Sequence, residues 1–289
     1  MQQETKINVD IIKGLADIFR VELTEIGYNT DGIIDNNELI KTYFTVRKRL
    51  IPMRPREVKK AQGFQCPQYF EEGYNNFITK VVSGRDLNPH LSRTNKELNK
   101  NDMLFYDWDI YHFHLGQIIE DDGYVERTGD VLFAIVENDK FYAIAIMPHD
   151  NWANKDLLEI VLANWPELLQ IYSIEGKLSH NLTSEEVKAM RKAHVVGAIE
   201  LSDGKTYFGR GLGYMSDGSS ARSSLELVRK VHEARFIQKE LTDKLKDSGF
   251  ANIEFTIERE GNKIVAKDKA NNLTYELYNF PSLNEYLKG

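Results

Sequence analysis

The chain has 289 residues, 42% hydrophobic and 28% charged, with a formal net charge of −7 and a single cysteine. That composition excludes disordered, collagenous and disulfide-stapled classes, and an acidic balance argues against a protein that coats DNA without specificity. The start, Met1-Gln2-Gln3-Glu4-Thr5-Lys6, is too polar for a signal peptide and no run approaches the roughly 18 apolar residues of a membrane span, so a cytoplasmic protein that does not engage a membrane is expected.

The first hundred residues are predicted to be helical. Val9, Ile12, Leu15, Phe19, Leu23 and Ile26 recur at spacings of three and four, with Asn8 to cap the start and Gly27 to close the end. A second helix is expected from about 37 to 50, through Leu39, Ile40, Tyr43 and Val46, until Pro52 and Pro55 stop it. A third runs from about 68 to 82, with Gly84 just beyond. The period then changes. Ile110 to Gly116 alternates like a strand, and 130–136 and 140–147 are apolar runs flanking Glu137-Asn138-Asp139, a hairpin pattern. Helical spacing returns from Asn154 to Leu169. Thr183-Ser184-Glu185-Glu186 is a capping box for a short helix to about Lys192. Strands at 195–201 and 205–208 flank the turn Asp203-Gly204. A Gly- and Ser-rich loop, 209–220, leads into a long helix from about Ala221 to Asp247, and three short strands, 252–258, 263–267 and 273–278, finish the chain. The expected fold class is α+β: a helical region at 1–102, a central antiparallel sheet with flanking helices at 103–220, and a C-terminal helix with three strands at 221–289.

The chemistry is expected to centre on the segment from Asp107 to Trp152. In Asp107-Trp108-Asp109-Ile110-Tyr111-His112-Phe113-His114, a strand projects His112 and His114 from one face, with Tyr111, Phe113 and Leu115 on the other. His149, in Met147-Pro148-His149-Asp150, closes the second hairpin strand. If the three strands form a meander, it returns near the first pair. Such a trio suits metal-free acid–base catalysis, in which one imidazole takes a proton while a neighbouring imidazolium gives one. Cleavage of RNA through the ribose 2′-hydroxyl needs that pair and a cation for the phosphate, for which Arg127, Arg93 and Lys140 are at hand. A His-x-His pair with His149 and a carboxylate also suits a divalent metal, for a nuclease or phosphohydrolase. The third reading is a non-catalytic binding or regulatory protein whose histidines are hydrogen-bonded strand residues. His90, His180, His194 and His232, isolated in sequence, read as structural.

Leu132-Phe133-Ala134-Ile135-Val136, a short turn, then Phe141-Tyr142-Ala143-Ile144-Ala145-Ile146 leading to Pro148-His149 resembles the central hairpin of RelE/HigB-type toxin endoribonucleases. The resemblance covers about residues 103–152. It implies helices packed on a small antiparallel sheet and metal-independent RNA cleavage by basic, histidine and tyrosine side chains, with no cofactor. It implies a toxin or antiphage effector, with RNA and an antitoxin or other protein as partners. The chain departs from that pattern in its length, its acidity and its lack of a lysine cluster after the last strand. The wider block, from Tyr111-His112-Phe113-His114 through Arg127-Thr128-Gly129-Asp130 to Asn164-Trp165-Pro166, is similar to bacterial proteins of no assigned activity.

Three further features carry weaker signals. Arg47, Lys48, Arg49, Arg54 and Arg56 form the centre of a basic stretch with Tyr43 and Phe44 interleaved, which reads either as a nucleic-acid phosphate footprint or as a solvated helix end and loop. Gly209-Arg210-Gly211-Leu212-Gly213 before a long helix reads as an anion-binding loop or as a flexible connector. Cys66 has no neighbouring base in sequence and reads as a packed thiol.

Overall fold

The computed structural model describes residues 5–98, 100–149 and 155–289. The chain is α+β and divides into two compact units, one made of residues up to 49 together with 223–289, the other of residues 50–222. These boundaries differ from those expected at 102 and 220: the first two predicted helices group with the C-terminal strands, and the third groups with the central sheet.

The chain enters the discontinuous unit through β1 (Lys6–Asn8), α1 (Ile11–Glu25) and α2 (Asn36–Arg49). Asn8 is not the cap of α1. It ends β1, which pairs in parallel with a strand at 252–254, and the Asp10 carboxylate accepts the Lys13 amide at 2.9 Å instead. The predicted stripe is buried at Leu15, Phe19 and Leu23, and Phe19 stacks on Tyr43 of α2 with ring centroids 3.8 Å apart.

The second unit holds β2 (Glu57–Lys60), α3 (Glu71–Ser83), α4 (Met103–Trp108), β3 (Ile110–His114), β4 (Asp130–Val136) and β5 (Lys140–Pro148). It continues with α5 (Asp156–Asn164), α6 (Glu167–Gln170), β6 (Ser173–Ile174), α7 (Ser184–Lys192), β7 (Ile199–Glu200) and β8 (Thr206–Tyr207). β3, β4 and β5 form the antiparallel meander on which convergence of the histidines depends. The sheet as a whole is mixed, because β2 adds to the far edge of β5 in parallel. Glu57-Val58-Lys59-Lys60 is too short and polar to read as a strand; the edge of β5 recruits it through backbone pairing.

Both faces of this sheet are buried, and the period of two assigns residues to their layers except at a bulge in β5, where Ile144 and Ala145 share one layer. Tyr111, Phe113, Leu132, Ala134 and Phe141 meet α3 residues Tyr74, Phe77 and Val81. Ile110, Val131, Phe133, Ile135 and Ile144 meet Trp108, Leu157, Val161 and Leu168. The predicted helix at 154–169 breaks into α5 and α6 at Trp165, whose φ of −144° and ψ of 62° lie outside the α region that a residue before proline avoids. The predicted strands at 195–201 and 205–208 shrink to two residues each around the Asp203-Gly204 turn.

The glycine-rich loop is tied to α4. Its Gly211 and Gly213 amides donate to the Asp107 and Tyr106 carbonyls at 2.8 and 2.9 Å, completing the C-terminal end of α4. A Cβ on Gly211 would lie 2.2 Å from the Tyr106 oxygen, so this approach requires glycine.

The chain returns to the first unit through α8 (Ala221–Leu245), β9 (Asn252–Glu254), β10 (Thr256–Glu260), β11 (Lys263–Asp268), β12 (Leu273–Asn279) and α9 (Leu283–Lys288). The strand expected at 252–258 splits at Phe255, with β9 joining β1 and β10 opening the β10-β11-β12 meander. The buried Glu22 carboxylate of α1 accepts from Tyr43 Oη at 2.8 Å and from the Leu283 amide at 2.7 Å. Among the described residues, no helix is long and apolar enough to cross a membrane.

Candidate active site

Strand pairing sets His112 opposite Phe133 and His114 opposite Val131, so both rings emerge on the face shared by Ile110 and Phe133. The next register places Val131 opposite Met147 and Asp130 opposite Pro148, which brings His149 just past the end of β5. Its backbone N–H donates to the Gly129 carbonyl at 3.0 Å. β4 lies between β3 and β5, and two strand spacings amount to about 9.6 Å. The rings nevertheless lean together across the end of β4. His149 is edge-on to His112, with centroids 5.0 Å apart, and stacked on His114 at 5.7 Å.

A cleft of about 360 Å³ opens beside these rings, lined by His112, His149, Arg127, Lys100 and Asp102 and by the polar side chains Ser92, Thr94, Asn95 and Asn101. Arg127 is exposed and makes no hydrogen bond or ion pair with the described residues. Asp102 was not singled out by sequence reasoning, because the helix it starts is only six residues long. Its signal was an Asn101-Asp102 pair before an apolar run. One carboxylate oxygen caps α4 by accepting the Phe105 amide at 3.0 Å, and the other lies 3.6 Å from His112 Nδ1.

Of the expected trio, His114 stacks on His149 but lies outside the cleft lining and is only 3% exposed. Its Nδ1 accepts the Thr128 amide at 3.1 Å, which places the proton of the neutral ring on Nε2. Burial, reinforced by the positive charge of His112, His149 and Arg127, pushes its pKa from 6.5 down to about 4. His90 is structural, as expected. Its Nδ1–H donates to the His114 carbonyl at 2.8 Å, its Nε2 accepts from Lys80 at 2.9 Å, and burial also lowers its pKa to about 4.

The two aspartates before the strand serve other partners. Asp107 pairs with Arg191 at 3.0 Å, both side chains being buried, and Asp109 pairs with Arg222 at 3.1 Å. Of the cations expected to serve the phosphate, only Arg127 is in place. Arg93 is taken by Glu120 and Asp122. Lys140 begins β5 while His149 follows its end, roughly 30 Å away at about 3.3 Å per residue.

The basic stretch is divided between the two units. Arg49 is 2% exposed and Arg56 4%, so neither offers its charge to a phosphate. Arg56 instead donates to the carbonyls of Glu137, Arg54 and Pro52 at 2.8, 3.1 and 3.0 Å. Arg47 lies over the Tyr286 ring at 4.4 Å and donates to the Pro281 carbonyl. Arg54 makes a long contact, 3.4 Å, to Asn138. Lys48 is half-buried. A regular helix followed by a loop gives neighbouring arginines different surroundings, so closeness in sequence did not fix which of them are exposed.

Cys66 is half-buried, and burial pushes its thiol pKa up, in keeping with a packed thiol. Among the described residues, no group of three or more His, Cys, Asp or Glu side chains is placed to hold a metal ion. Asp150 and Trp152, at the end of the expected segment, and Asn154, the expected helix start, lie outside the described residues. No family model, curated protein or solved structure matches the chain.

Proposed function

We propose that the cleft cleaves RNA without a metal, as an endoribonuclease in which His112 and His149 exchange protons with the substrate. The observation that carries this reading is two imidazoles 5.0 Å apart in the wall of a cleft that also presents Arg127. One imidazole takes the proton of the ribose 2′-hydroxyl, and the 2′-oxygen forms a bond to phosphorus. The bond from phosphorus to the 5′-oxygen breaks, and that oxygen receives a proton from the other, imidazolium, ring. The products are a 2′,3′-cyclic phosphate and a 5′-hydroxyl end. The Arg127 guanidinium offsets the charge that builds on the phosphoryl oxygens. His114 acts from beneath, neutral, against the His149 ring. The likeness of the hairpin at 132–149 to toxin endoribonucleases supports the same reaction class, with a toxin or antiphage effector as the role and an antitoxin-like protein as its restraint.

The test is cleavage of a single-stranded RNA oligonucleotide by the purified protein, with and without EDTA. Cleavage should be indifferent to EDTA, follow a bell in pH and leave cyclic phosphate ends. His112→Ala and His149→Ala should each lower the rate by about 10²–10⁴-fold. Loss of cleavage in EDTA, or full activity in His149→Ala, would overturn the reading.

A further inference from the structure

The N-cap of α4 and the ring of His112 meet at one carboxylate. Asp102 Oδ1 accepts the Phe105 amide at 3.0 Å, while Oδ2 stands 3.6 Å from His112 Nδ1. Both side chains line the cleft. An Asp at an N-cap has a structural reason to be there, but the cap uses one oxygen only. The second oxygen is aimed at a ring nitrogen, and a carboxylate accepts hydrogen bonds without donating any. An N–H on Nδ1 is the form that an oxygen in this place favours.

We infer that Asp102 is a positioning residue: it holds the His112 proton on Nδ1, leaving Nε2 as the atom that exchanges a proton with the substrate. Which ring nitrogen carries the proton is decided by the bond the other one makes. The same strand face shows the opposite arrangement at His114, where the Thr128 amide donates to Nδ1 and leaves the proton on Nε2. On this inference two histidines two residues apart carry opposite tautomers, with an anion near Nδ1 of one and an amide donating to Nδ1 of the other. The separation of 3.6 Å exceeds a hydrogen bond. Contacts of this kind tighten when substrate excludes water, so the inference concerns the bound site as well as the empty one.

The inference rests on the nuclease reading for its kinetic consequence, but not for the ring pairing itself. Its test therefore has two arms on the full chain. Asp102→Asn keeps an equally good cap and removes the anion, whereas Asp102→Ala removes both. In ¹⁵N spectra recorded where His112 is neutral, the wild type should show the Nδ1–H form. Asp102→Asn should move the ring toward the Nε2–H form preferred by free histidine, with the thermal midpoint retained. On the RNA substrate, Asp102→Asn should lower kcat by about 10-fold or more with KM held; losing the carboxylate behind an acid–base imidazole can cost up to about 10⁴-fold. An unchanged His112 spectrum with full activity in Asp102→Asn would make Asp102 a cap alone and overturn the inference. A wild type that cleaves no RNA would sink the nuclease reading and the kinetic role, while the spectrum would still decide the pairing.

Discussion

His114 and His90 are neutral imidazoles in the folded chain, each lowered to a pKa of about 4 by burial. In the unfolded chain both titrate near 6.5. The unfolded state therefore binds protons between those values while the folded state does not, and acid favours unfolding. Their contribution to stability is complete above pH 6.5, falls as the pH drops toward about 4, and levels off below that. Urea midpoints measured from pH 7.5 to 3.5 should show this decline, and His90→Asn should flatten part of it. A midpoint that holds steady through the window would show that the rings are not buried neutral. Arginines separate by the same criterion. Arg127→Ala should weaken RNA binding and reduce its salt slope by about one, the signature of a lost phosphate contact. Arg56→Ala should instead destabilise the fold by about 3 kcal/mol or more, since three backbone carbonyls lose their donor. Equal salt slopes for wild type and Arg127→Ala would remove Arg127 from the site.

Short elements position the candidate site. α4 has six residues and little helical stability of its own. It persists because Asp102 caps one end, the Gly211 and Gly213 amides complete the other, and Trp108 is wholly buried. Asp109, with φ of 57°, then turns the chain directly into β3, the strand bearing His112. The Asp107–Arg191 pair ties this turn to α7. Removing one partner of a buried pair leaves an uncompensated charge, so Arg191→Met should cost about 3–5 kcal/mol. The double variant Asp107→Leu, Arg191→Met should recover most of that loss. Chemical denaturation of the three proteins tests this, and a double variant as unstable as the single one would place the cost in packing.

Over the whole molecule, the N-terminal 49 residues fold with a segment that begins 174 positions later, at 223. β1 finds its partner in β9, and α1 packs on β10, where Gly14 would place a Cβ 2.3 Å from Ile257. Residues 50–222 are continuous and contain the sheet, both of its buried layers and the whole candidate cleft. That segment alone is expected to show a cooperative urea transition and to retain the His112 and His149 ring signals. Residues 1–49 alone should be unfolded. A 50–222 fragment without a transition would show that the two units fold only together.

Periodicity alone carried most of the elements: the stripe of α1, the alternation of β3, the β4–β5 hairpin and the capping box of α7 all rest on contacts within a few residues, which a sequence displays directly. The shared face of His112 and His114 follows from the same rule. Pairings at long range were invisible. β2 and β1 are strands only because β5 and β9 offer an edge, and the glycine loop is a cap only because α4 lies beneath it. The site was legible as a set of residue types but not as a set of roles. Burial took His114 out of the cleft wall, turned Arg49 and Arg56 inward, and brought Asp102 beside His112. Burial and ion pairing depend on what packs from elsewhere in the chain, so only the tertiary structure could assign them.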